Sequence, residues 1–498
     1  MRIRKLILAI VAMSVLSLSW AVTEQNTGFR IANVRYDIKG STREFPLSQK
    51  VEIDRDRVFA TEEEIRAYIA DLEVKFLNQR VLESAKIDLD AGSPPVDGIV
   101  PVTITVHTVD TWNIIALPYP KFDSNDGMQL KLKFKNYNFF GSMEELNFDT
   151  LFEVDNDGNK SIETGFDFSI PFQMKGYALN WSIESSLIVP FGEVPEFGLT
   201  TGIDLAFPAG FADVHVGVEQ GMSVNARDDH DELEDDRFYL TERVYVNVPY
   251  TLYEFDYFGK LEWTPEISIT QNWNASGITD PDLTGPDFTV MHTLSIGRID
   301  WIGNFRRGFS VSASNDYVYD LHDKDGWDVS VSGTAAGYAT FIDRFGFSSR
   351  LSAFRVLEGD PVEKAGDKLR GILDRRITTD GMITLNVDFP VRVMRVNFEE
   401  ITGVRWTKYI GFDLHASPFI DMALTHDPLT GRYYSLDDGW MSGGLEVIAY
   451  PMKMRSIYVR ASVGFDLREV ADSGSLRGNA KRDGESVHEY FLGIGLMY

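Results

Sequence analysis

The sequence predicts a mainly β chain: a transmembrane antiparallel β-barrel over 111–498, preceded by a small α+β domain over 22–110 and an export signal over 1–21. Three observations predict it. Basic residues and a short apolar run open the chain; segments of roughly 10 residues with alternating polarity recur from Trp112 to the C-terminus; and no later stretch has the length of an apolar spanning helix. A chain that enters a membrane without such helices does so as a closed barrel, because only helices and closed barrels pair every backbone N–H and C=O in lipid.

The N-terminal run reads as a cleavable leader, with an N-terminal membrane anchor as the alternative. Arg2, Arg4 and Lys5 precede apolar residues 6–18, and Ser19-Trp20-Ala21 puts small residues at the two positions a signal peptidase inspects. The next segment changes period. Residues 30–38 read as a strand, and Thr61-Glu62-Glu63-Glu64 is a capping box opening a helix with Ile65, Tyr68, Ile69, Leu72 and Phe76 on one face. Residues 77–89 lead from that helix into a short strand, Pro94-Pro95 marks a loop, and 102–109 alternates as a further strand. The order is that of a compact α+β unit.

From Trp112 the period is two. Leu130, Leu132 and Phe134 alternate with Lys131, Lys133 and Lys135, and Leu179, Trp181 and Ile183 with Asn180, Ser182 and Glu184. In a lipid barrel the apolar set points outward and the polar set into the lumen. A soluble β-sandwich also alternates, but seldom runs as one sheet system over so long a stretch. The pattern yields about 18 candidate strands. In the last one Tyr490, Leu492, Ile494, Leu496 and Tyr498 share a face, with Gly493 and Gly495 on the other.

Composition removes several function classes. A formal net charge of −27 argues against a nucleic-acid partner, because neutralising phosphates needs basic surface. Zero cysteines exclude disulfides and thiolate metal sites. The 8 histidines form no pair at metal-ligand spacing, and neither a nucleophile elbow nor a glycine-rich phosphate loop occurs, so no enzyme chemistry and no cofactor are expected. Asp228, Asp229, Asp231, Glu232, Glu234, Asp235 and Asp236 crowd around His230, a solvated acidic loop whose spacing matches no calcium loop.

Two short segments are more specific. Leu369-Arg370-Gly371-Ile372 lies in a polar loop, and Phe419-Ile420-Asp421 lies on a strand two elements later; inside a barrel they suggest a buried ion pair pinning the loop. With Asn136-Tyr137-Asn138-Phe139-Phe140-Gly141, the stretch from Asp380 to Pro390, and Met441-Ser442-Gly443-Gly444-Leu445-Glu446-Val447 leading into Val463-Gly464-Phe465-Asp466-Leu467, they resemble the BamA/TamA (bacterial surface antigen) family. The strand, helix, strand, strand order of 22–110 resembles a POTRA domain, the periplasmic module of outer-membrane assembly factors.

The resemblance implies an outer-membrane barrel of about 16 strands with a periplasmic N-terminal domain; the two surplus candidates would be strands counted twice at bulges. It implies that Arg370 enters the lumen and meets Asp421, with Phe419 lining the contact and Asp388 a second acid. Ile372 stands where the family usually has an aromatic residue, which predicts looser packing of the loop tip. The implied function is assembly, insertion or translocation of outer-membrane proteins, client strands adding at a lateral seam between the first strand and the last, near Gly493, Gly495 and Tyr498. Pro118 and Pro120 withhold ladder donors there. Implied partners are membrane lipid, unfolded client barrels, and periplasmic chaperones or accessory lipoproteins. Two rivals differ in class: a two-partner-secretion-like transporter, which usually carries two POTRA domains and a plug helix, and a passive porin, which needs neither a POTRA domain nor a pinned loop.

Overall fold

The computed structural model describes residues 28–494 except 93–97, 126, 155–157, 211, 226–236, 256–257, 281–282, 323–325, 343 and 428–431. The expected leader over 1–21, Pro94-Pro95, the acidic loop around His230, Gly495 and Tyr498 lie outside the described residues.

The N-terminal unit runs β1 (Gly28–Lys39), α1 (Glu44–Lys50), β2 (Val58–Phe59), α2 (Glu62–Asn78), β3 (Leu82–Ala91) and β4 (Ile99–Asp110). Its sheet has the order β2-β1-β4-β3, with β1 parallel to β4 and β3 antiparallel to it. The Thr61 hydroxyl starts α2 by accepting the Glu64 N–H at 3.1 Å, while the Glu64 carboxylate reaches back to the Ala60 N–H at 2.7 Å. Ile65, Ile69, Leu72 and Phe76 then fall on one face and pack on Ile31, Val102 and Ile104. The sequence pattern does not reveal α1, whose seven residues bury only Pro46 and Leu47.

The barrel strands are β5 (Ile114–Asp123), β6 (Gly127–Asn136), β7 (Leu146–Val154), β8 (Lys160–Met174), β9 (Tyr177–Pro190), β10 (Glu196–Pro208), β11 (Asp213–Val224), β12 (Phe238–Asn247 with Tyr250–Phe255), β13 (Gly259–Trp273), β14 (Asp287–Ile302), β15 (Phe305–Asp320), β16 (Trp327–Ile342), β17 (Phe345–Glu358), β18 (Gly381–Asp388 with Val391–Val396), β19 (Phe412–Asp427), β20 (Trp440–Pro451), β21 (Val459–Asp466) and β22 (His488–Ile494). Neighbours pair antiparallel, and β22 meets β5 to close the ring. The described residues thus form an 18-strand barrel, which corrects the family-derived expectation of about 16. The surplus is not double counting. The two interrupted strands, β12 and β18, are each one strand with a kink, and each of the others has its own antiparallel neighbours in register.

Side chains sort by face as a lipid wall requires. Leu130 and Leu132 on β6 are exposed outward, as are Ile203, Val218, Val244 and Ile267 on later strands. Lys131 and Lys135 turn inward, paired with Asp149 at 2.9 Å and Glu145 at 2.6 Å. Among the described residues no helix is long and apolar enough to cross a membrane.

The N-terminal unit is fastened to the barrel end formed by the β14–β15 and β20–β21 turns. Arg80 sends its Nε to the Arg455 carbonyl at 2.6 Å and its Nη1 to the Gly303 carbonyl at 3.3 Å, with the guanidinium 4.1 Å over the Trp301 ring. Burial lowers its pKa below the ordinary arginine value. Beside it Asn78 donates to Asp300 at 2.8 Å, and Arg298 pairs with Asp71 at 2.5 Å.

Candidate functional site

The loop 359–380 leaves β17, folds into the barrel and returns to β18. Two 3₁₀ turns, Ala365–Lys368 and Asp374–Arg376, shorten it, and the motif residues lie between them. Leu369, Ile372 and Ile377 are buried against Met382, Ala423 and Trp440. Ile372 is 0% exposed, so the looser tip packing expected from the missing aromatic ring does not occur. A smaller side chain fits because the loop sits close to the wall. Gly371 has φ +89°, and a Cβ built there would lie 2.5 Å from the Phe465 nitrogen; one built on Gly464 opposite would meet the Gly371 Cα at 2.6 Å. Two facing glycines therefore set the depth of the seat.

Arg370 is held on every side. Its Nε and Nη2 fork onto Asp421 at 2.9 and 2.8 Å, its backbone N–H reaches the same carboxylate at 3.0 Å, and its Nη1 meets Asp388 at 2.6 Å. The guanidinium lies 3.8 Å over the Phe419 ring. Arg370 is 4% exposed and Asp421 0%, so the pair is shielded from the water that weakens surface ion pairs.

Five further residues of this seat were not singled out from the sequence. Glu446 on β20 lies 3.8 Å from Arg370 and 3.2 Å from Arg460 of β21, extending the pair into a cluster of three carboxylates and two guanidinium groups. Arg376 forms a second pin, with Nε on Asp483 at 2.7 Å and Nη2 on Asp466 at 3.0 Å. Glu446 and Asp466 both stand inside segments quoted for the family resemblance. Acids at inward positions there were the available signal.

The seam is a different kind of contact. β22 and β5 register through two residue pairs, Phe491 with Asp123 and Leu492 with Phe122, and Gly493 and Ile494 follow without a ladder partner on β5. Toward the N-terminal unit the edges part around an apolar cleft of about 790 Å³, lined by Trp112, Ile115, Leu117, Tyr409, Met454 and Leu492 among others. There the chain entering β5 bonds past β22 to the β20–β21 turn: the Thr111 hydroxyl and the Trp112 N–H both donate to the Lys453 carbonyl, at 2.7 and 3.3 Å. Pro118 and Pro120 stand on β5 beside the cleft, paired with Leu132 and Leu130 of β6. Gly493 makes room for the Phe491 ring, which would lie 2.7 Å from an added Cβ.

In fold the chain is similar to CdiB from Escherichia coli. That structure aligns over 93% of this chain and 76% of its own at 9% identity, with a TM-score of 0.54. CdiB from Acinetobacter baumannii (10% identity, TM-score 0.46, 94% and 74% covered) and BamA from Haemophilus ducreyi lacking POTRA domains 1-3 (12%, 0.41, 93% and 84%) align more loosely. No family model and no curated protein matches the sequence. At such identities the likeness is one of fold: a large closed barrel preceded by a further unit.

Among the described residues no three acidic or histidine side chains are arranged to hold a metal ion. What the arrangement offers is mechanical. Among the described residues one strand junction leaves part of a backbone edge without a ladder partner, and a loop is locked in the lumen beside it.

Proposed function

We propose that this protein is an outer-membrane assembly, insertion or translocation factor of the BamA/TamA type, which templates client β-strands at the junction of β5 and β22. The observation that carries the reading is the seam: among the described residues it has two ladder pairs beside an apolar cleft, where interior junctions pair along most of their length. A free strand edge accepts another strand by β-augmentation, and an apolar cleft accepts that strand's outward side chains. In this reading the N-terminal unit is a POTRA-like domain in the periplasm that receives unfolded clients, with chaperones or accessory lipoproteins as further partners. Arg370, with Asp421, Asp388 and Phe419, fixes the loop while the seam works. No cofactor takes part.

The chain has no cysteine, so a disulfide can be placed cleanly. Phe122→Cys with Leu492→Cys, opposed in register, should on oxidation abolish client assembly and regain it on reduction. The same lock between Val290 and Tyr317, opposed on β14 and β15, should change nothing. Normal assembly by the locked seam would overturn this reading and favour passage of one polypeptide through the lumen, the two-partner-secretion-like alternative. Depleting the protein and inventorying the outer membrane separates the same two: broad loss of barrels against loss of one secreted protein.

A further inference from the structure

At the end of the seam remote from the N-terminal unit, one side chain from each edge meets the loop. Glu489 lies on β22 and Asn125 in the turn after β5. The Asn125 Nδ2 donates to the Glu489 Oε1 at 3.0 Å, so the two side chains bridge the junction directly. Each is also held from the lumen by a loop backbone donor: the Gly371 N–H reaches the Glu489 Oε2 at 2.5 Å, and the Asp374 N–H reaches the Asn125 Oδ1 at 2.8 Å. The result is a closed ring of hydrogen bonds from the loop to one edge, across the seam to the other edge, and back to the loop.

The closed part of the seam is the part next to this ring. Tyr490 and Ser124 bond reciprocally there, the Ser124 N–H to the Tyr490 carbonyl at 3.2 Å and the Tyr490 N–H to the Ser124 Oγ at 2.8 Å, and the two ladder pairs follow at once. Beyond them no further ladder pair occurs among the described residues, and the cleft begins. The loop also grips the segment leading into β22, through Arg375 on Glu485 at 2.7 Å and Arg376 on Asp483. A second arm runs through the lumen: Arg370 faces Glu446, Glu446 pairs with Arg460, and the Arg460 guanidinium lies 4.0 Å over the Phe491 ring.

We infer that the seated loop is the latch of the seam, with Glu489 and Asn125 as the positioning residues through which its backbone holds the two edges together. The inference deepens the proposed function and rests on the seam being the working junction. Its logic is reciprocal. If the seated loop stabilises the closed seam by some factor, an opened seam weakens the hold on the loop by the same factor. A strand that displaces β22 from β5 separates Glu489 from Asn125 and breaks the ring, so its arrival at the edge is transmitted to the loop, and withdrawal of the loop frees the edge for it.

The test is hydrogen exchange of the full chain in lipid vesicles, which needs no client. Glu489→Ala and Asn125→Ala should each speed exchange at the amides of residues 122–124 and 490–492 by about tenfold, the effect of one lost hydrogen bond. The β14–β15 amides should not change, and they serve as the folding control. Arg370→Ala touches neither edge, yet it should speed the same seam amides along with those of the loop. If Glu489→Ala does not fold, Glu489→Gln, which keeps an acceptor for the Gly371 N–H but lacks the charge, should give a smaller rise at the same amides. A seam that exchanges at the wild-type rate in these variants while the loop exchanges faster would show two independent parts and overturn the latch. The outcome is distinguishable from that of the disulfide lock: a locked seam that assembles clients refutes the proposed function, whereas the latch stands or falls on exchange alone.

Discussion

β14 and β15 pair along all 16 residues of each strand, whereas the described residues of β22 and β5 pair through two. The first junction is a backbone ladder that no single side chain controls. The second is held at one end by a few side chains and a loop, and at the other by bonds that bypass β22. A junction of the first kind opens only by losing many bonds together; one of the second kind can be undone at named positions. Among the described residues the barrel therefore has one sparsely paired junction, and a multiply bonded loop lies beside it.

The largest expected effect comes from removing the charge that seats the loop. Arg370→Ala leaves Asp421, Asp388 and Glu446 buried with one guanidinium fewer, a loss of roughly 3–5 kcal/mol for a broken buried pair. The loop 359–380 should become cleavable by protease in membranes and assembly should fall, while the barrel stays inserted. Asp421→Ala should behave alike, and the double variant should be little worse than either single one, because both remove one interaction. Fully additive defects would mean that the two side chains do not depend on each other.

Gly371→Ala sharpens the comparison without changing any charge. Its Cβ would meet the β21 backbone at 2.5 Å in a left-handed conformation, so the loop must lift; a cost of about 1–3 kcal/mol is expected. Seam exchange should rise with Arg370 still paired. Unaltered thermal stability in this variant would show that the wall gives way instead.

Arg80→Ala probes the opposite end of the barrel. It removes two carbonyl bonds and a stacked cation, a loss of roughly 1–3 kcal/mol at the junction with the N-terminal unit. Protease should then separate that unit from the barrel more readily, with exchange at residues 490–492 unchanged. A rise there would join the two ends into one mechanism. The smallest effect belongs to Lys260→Ala, which breaks an exposed pair with Glu52 2.9 Å away; less than about 0.5 kcal/mol and no change in assembly are expected.

The sequence by itself determined the barrel, because a period of two needs only the residue's own position to say which face it takes. The capping box and stripe of α2 were legible for the same reason: their spacing is local. Even the strand number was present in the residues, and the expectation of about 16 failed because a borrowed count replaced the one the alternation gave. The Arg370–Asp421 contact was legible only through resemblance, since nothing in 51 residues of separation forces two side chains together. Glu446 and Arg460 were not legible, because an inward-facing charge on a barrel strand is ordinary until its partner is known, and Arg376 was not legible because it is one charge among several in a polar loop. Tertiary structure alone decided that Asn125 and Glu489, 364 residues apart, bridge one junction and that the backbone of Gly371 and Asp374 meets them there. Closing a ring of 18 strands brings the two ends of the chain side by side, and no local pattern encodes what meets at the closure.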